Sequence, residues 1–81
     1  MARTPKEKRI DKGNAAEKLF YDPLIQEVFG KMETSYNNAW VSSGLDDIQK
    51  RETLFLSIRA LSDFKLELES MIMGGKIAQK E

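Results

Sequence analysis

Residues 47–73 read DIQKRETLFLSIRALSDFKLELESMIM, and the spacing of their apolar side chains decides the fold. At about 100° per residue, Leu54, Ile58, Leu61, Phe64, Leu68, Met71 and Ile72 fall within an arc of about 140°, which is helical periodicity and marks the face expected to pack on the preceding helix. The stretch predicts a helix over residues 47–73, roughly 40 Å long at 1.5 Å per residue. Three further apolar residues, Ile48, Phe55 and Leu66, form a second line on the same helix at separations of 7 and 11, and Leu56 stands on a third side. One neighbouring helix cannot cover both lines. Either the segment around Leu19 and Phe20 folds back over the second line, or another subunit or partner covers it.

On the N-terminal side, Ser42-Ser43-Gly44-Leu45-Asp46 supplies a stop, a turn and a start. Gly44 is suited to the left-handed conformation that closes a helix, and Asp46, with Gln49 three positions on, is suited to cap the next one. So short a loop predicts two antiparallel neighbours. The preceding helix is expected from Pro23 to about Ser42. Asp22 is a good N-cap and Pro23 a good first helical residue, while Ile25, Phe29, Met32, Tyr36 and Ala39 recur at spacings of 4, 3, 4 and 3. The fold class is therefore all-α, an antiparallel helical hairpin of residues 23–42 and 47–73.

Outward from the hairpin the apolar signal fades. Residues 1–13, MARTPKEKRIDKG, are expected to be a flexible basic arm, and residues 14–21 a short helical turn ending before Pro23. Gly74-Gly75 is expected to end the second helix, leaving 76–81 as a frayed tail. The domain division is thus an arm over 1–13, a hairpin domain over 14–75 and the tail.

The chain of 81 residues balances 13 Lys and Arg against 13 Asp and Glu and contains no Cys or His. Disulfides, cysteine-based zinc clusters and imidazole chemistry are excluded. Ser35, Ser57 and Ser62 have no evident activating base, and Asp46 with Asp47 are accounted for by capping rather than by metal binding. Gly74-Gly75-Lys76 fails the phosphate-loop pattern, with Ser70 where the leading glycine belongs and Ile77 where the hydroxyl belongs. Tyr36 and Trp40, one turn apart beside Glu33, Asn37 and Asn38, suit a core or an interface better than a base-stacking platform. No catalytic, cofactor or metal site is expected.

Charge is unevenly distributed. Residues 1–18 carry six bases against three acids, and residues 19–70 nine acids against five bases. Arg3, Lys6, Lys8, Arg9 and Lys12 are the candidates for touching DNA or an acidic partner, a weak contact given the interleaved acids. No run of about 18 apolar residues and no secretory signal is present, so a cytoplasmic protein without membrane association is expected. Burial scaling for a chain this short leaves a thin core. A homo-oligomer formed through Ile48, Phe55, Leu56 and Leu66 is the first expectation, and a small monomeric inhibitor or adaptor that binds a host protein by that face is the alternative.

One resemblance bears on these options. The order SYNNAW, a short polar turn, D-x-x-x-R-E-x-L-F-x-x-I-R-A-L at 47–61 and M-I-M-G-G-K-I-A-Q resembles small helical proteins encoded near the head and packaging genes of tailed bacteriophages. It covers roughly residues 20–79 and is carried by Trp40, Arg51, Glu52, Leu54, Leu61, Gly75, Lys76 and Ala78. The resemblance implies a packaging or head-assembly accessory like a terminase small subunit, whose helical hairpin assembles beside the packaging motor in the host cytoplasm. The chain departs from that pattern where a separate DNA-binding helical domain would stand, offering only residues 1–13. The resemblance therefore carries oligomerisation further than DNA recognition.

Overall fold

The computed structural model describes residues 3–81, which form three helices: α1 (Pro5–Phe20), α2 (Pro23–Ser42) and α3 (Ile48–Lys80). The all-α class is as the periodicity predicts. Both α1 and α2 run antiparallel to α3. Lys6 and Arg9 meet the C-terminal end of α3, Phe29 and Glu33 meet its middle at Phe64 and Lys65, and Trp40 meets its beginning at Arg51. The molecule is a long hairpin, 58 × 23 × 22 Å, in which one limb is continuous and the other is broken at Tyr21-Asp22-Pro23.

That break is local chemistry. Proline at 23 denies a continuing helix one N–H donor, and the Asp22 carboxylate accepts from the N–H groups of Leu24 (2.8 Å) and Ile25 (3.4 Å), opening a new helix as expected. Phe20, Phe29 and Phe64, one from each helix, then meet in series with ring centroids 6.3 and 6.0 Å apart. These edge-on and tilted arrangements are the geometries aromatic quadrupoles favour. With Ala16, Leu61, Leu68 and Ile72 around them, they form the core, in which Phe20 and Phe29 are buried and Phe64 stays half exposed.

Four expectations are corrected. First, residues 5–13 are not an arm, nor is 14–21 a short turn; together they make α1. Thr4 caps it, accepting from the Glu7 N–H (3.1 Å), with Pro5 at the first helical position. Met1 and Ala2, the start of the expected arm, lie outside the described residues. Second, Gly74-Gly75 does not end α3, which continues through the expected tail to Lys80. Third, Gly44 has no left-handed backbone, and the cap of α3 is Asp47 rather than Asp46, accepting from the Lys50 N–H (3.1 Å). Fourth, Ile58, Phe64 and Met71 remain substantially exposed, because α3 turns its buried face toward α1 along Leu61, Leu68, Ile72, Gly75 and Ala78.

The glycines explain the first two corrections. A Cβ added to Gly13 would stand 2.8 Å from Gly75 Cα and 3.0 Å from the Met71 carbonyl oxygen, and one added to Gly75 would stand 3.0 Å from Gly13 Cα. Two helix backbones touch at this point, with no side chain between them. Around the contact, Lys6 Nζ donates to the Glu81 carbonyl, and Arg9 Nη2 donates to the Gly74 carbonyl (3.3 Å). Arg9 also pairs with the Glu81 carboxylate at 3.7 Å. Cations at the carbonyl end of α3 oppose its dipole favourably.

A methyl group at position 74 would meet nothing within 4 Å, so G74A is expected to stabilise the protein by about 1 kcal/mol, the helix-propensity difference. G75A and G13A are expected to destabilise it by about 1–3 kcal/mol through forced separation of the helices. Thermal denaturation of the three variants checks this opposite response at adjacent glycines. Removal of residues 1–13 is likewise expected to lower the melting temperature, since it takes away half of the glycine contact.

Candidate interaction surface

The hairpin is unevenly packed along its length. The α1 half holds Gly13, Ala16 and Phe20 buried against α3, whereas α2 buries Phe29 alone. Toward the α2–α3 connection apolar residues face outward, with Val41 75% and Leu45 85% exposed. Among the described residues no side chain of large volume is fully buried.

The four residues expected to form an interface are all exposed: Ile48 66%, Phe55 54%, Leu56 64% and Leu66 57%. Residues 14–21 do fold back onto α3, but onto the Leu61–Ile72 face, and they leave the second line open. Phe55 and Leu66, with Ile58, Tyr36 and Trp40, line a groove between α2 and α3 enclosing about 610 Å³. Ile48 and Leu56 continue it toward the connection, beside Trp40 and Leu45. A second groove, on the opposite flank of the α2–α3 pair, is lined by Leu19, Ile25, Val28, Met32, Ala60 and Phe64. It lay beyond sequence reasoning because Phe64 belongs to the arc of α3 expected to be covered.

Polar contacts hold the rim of the first groove. Ser43 Oγ donates to the Trp40 carbonyl (2.6 Å) and accepts from Arg51 Nε (3.0 Å), while the Arg51 guanidinium lies 5.1 Å from the centre of the Trp40 ring. This one arginine ties the end of α2 to the start of α3 by a hydrogen bond and a cation–π contact. Lys65, four residues from Glu69 on α3, bonds instead to Glu33 on α2 at 2.7 Å and lies 5.4 Å from the Phe29 ring. The Lys65 ammonium is thus held by the Glu33 carboxylate and by the face of the Phe29 ring.

The basic residues at the N-terminus are arranged differently from a free arm. Arg3 pairs with Asp11, and Lys6 and Arg9 are engaged with the end of α3. Lys8 and Lys12 are exposed one turn apart on α1. Among the described residues no group of three or more acidic side chains converges to hold a metal ion, and no helix is long and apolar enough to cross a membrane.

The surface is large for the mass. A compact monomer of this size exposes about 5,000 Å² and has a radius of gyration of about 12 Å. This chain exposes 6383 Å² and has a radius of gyration of 17.4 Å. The excess, about 1,400 Å², is well above the roughly 800 Å² that one partner contributes to a standard protein interface. No family model, no curated protein and no solved structure matches the chain.

Replacement of Arg51 by Met keeps the stem over Trp40 and removes both the charge and the donor. R51M is expected to cost about 1–2 kcal/mol and to shift the Trp40 emission, as measured by fluorescence-detected urea denaturation.

Proposed function

We propose that the protein is a non-enzymatic, self-associating helical protein that acts as an accessory in phage DNA packaging or head assembly, in the manner of a terminase small subunit. The observation that carries self-association is the exposure of Phe55 among Ile48, Leu56 and Leu66 on a chain whose internal core is small. Burying one such side chain fully is worth about 1.5–3 kcal/mol, so a line of them gives self-association an apolar driving force. The phage setting rests on the resemblance across residues 20–79, and the site of action that goes with it is the host cytoplasm.

Under this reading the protein works by contact with copies of itself and with a motor or other protein. Direct DNA binding is weak, since Arg3, Lys6 and Arg9 have carboxylate or carbonyl partners within the fold and Lys8 and Lys12 alone make few phosphate contacts. The adaptor reading keeps one supporting observation. The flank groove lined by Ile25, Val28, Met32 and Phe64 is a second apolar surface, which a partner's amphipathic helix would fit.

Light scattering after size exclusion, across about a tenfold range of concentration, tests the reading. The wild type is expected to be a defined oligomer and F55E a monomer of unchanged helicity by circular dichroism, because Phe55 lies outside the core. A wild type that stays monomeric overturns self-association and moves the adaptor reading ahead. Affinity for duplex DNA, measured by fluorescence anisotropy, is expected to be weak and to vanish at moderate salt.

A further inference from the structure

We infer that two copies of this chain pair through α3 in an antiparallel, two-fold arrangement centred between Ala60 and Leu61. This deepens the self-association proposed above and rests on it, adding the identity of the partner surface and its register. Because α3 continues past Gly74-Gly75, Met73 is an internal helix residue, and it is 59% exposed. At 100° per residue Ile48, Phe55, Leu66 and Met73 fall within an arc of about 20°, on the side of α3 turned away from Leu61, Leu68 and Ile72.

The spacing along this stripe is 7, 11 and 7, which is the same read in either direction. Residues 48 and 73 are equidistant from the point between Ala60 and Leu61, and so are residues 55 and 66. A two-fold interface requires that where residue i meets j, residue j also meets i. An antiparallel pair about that point satisfies this for the whole stripe: Ile48 of each copy meets Met73 of the other, and Phe55 meets Leu66. Four apolar layers then span about 38 Å of helix. A pairing with α3 parallel would set each residue against its own copy.

Charge on the two edges of the stripe agrees with the same centre. Arg59 and Asp63 lie on one edge and Arg51 and Glu69 on the other, each pair centred within half a residue of the apolar midpoint. In an antiparallel pair an edge meets the same edge of the other copy. Arg59 therefore faces Asp63, twice, while Arg51, held to Ser43 and Trp40 within its own copy, stands at the height of the other copy's Glu69. In the parallel arrangement an edge meets the opposite edge, and Arg59 would face neither Asp63 nor Glu69. Opposite charges in register across edges are what fixes orientation in paired helices.

The test uses R59E and D63R, both at exposed positions, in the full chain. Within a homodimer of R59E the introduced glutamate faces Asp63, and within one of D63R the introduced arginine faces Arg59, so each variant alone is expected to run as a monomer of 9.3 kDa where the wild type is a dimer. Mixed in equal amounts, the two variants place opposite charges at both contacts. The mixture is expected to recover twice the monomer mass by light scattering, with circular dichroism unchanged throughout. If the wild type associates but the singles do so equally well, or the mixture does not recover, the register is wrong and self-association stands. A wild type that is monomeric across the concentration range overturns both.

Discussion

The contact on which the arrangement depends is the meeting of two backbones at Gly13 and Gly75. Helices bearing ordinary side chains keep their axes 8–10 Å apart. A glycine on each side removes the Cβ atoms that would collide there, leaving each within about 3 Å of the other backbone if restored. Close approach brings Ala16, Phe20, Leu68 and Ile72 into one core and sets Arg9 against the Gly74 carbonyl. The N-terminal segment, which buries little apolar area, is thereby held by dispersion between backbones and by the carbonyl end of α3.

From this anchor the rest follows in space. The limb opposite α3 starts at α1, turns at Asp22-Pro23 without changing direction, and continues as α2, with the Phe20–Phe29–Phe64 series bridging the break. Gly30 does not draw α2 in as Gly13 draws in α1, because a methyl there would meet nothing within 4 Å. The α2–α3 half therefore stays open, and its aromatic residues line a groove where the α1 half has a core. The α1 half of the rod thus holds most of the buried contacts, and the α2 half most of the exposed apolar side chains.

Stability placed at one end leaves Phe55 and Leu66 at the surface without loss of the fold. For the self-association proposed above, equal numbers of acids and bases would leave no net repulsion between copies. Arg51 and Lys65 hold α2 to α3 by cross-helix bonds, so the groove is shaped by polar ties at its rim.

Periodicity and capping chemistry, acting within a few residues, are enough to dictate the helical class, the start of α2 at Asp22-Pro23, the antiparallel α2–α3 connection and the apolar line Ile48–Phe55–Leu66. The start of α1 is written in the chain as well: Thr4-Pro5-Lys6-Glu7 has the cap, the proline and the acid of a helix start, although polar composition and Gly13 argued for an arm. That Gly13 and Gly75 are contact surfaces rather than breaks follows from packing alone. A glycine costs a helix about 1 kcal/mol wherever it lies, and whether packing offsets that depends on a residue 62 positions away in the chain. The same long-range contact turns α3 so that Phe64 and Met71 remain exposed, which no local pattern records, whereas Met73 falls on the outer stripe by helical periodicity alone.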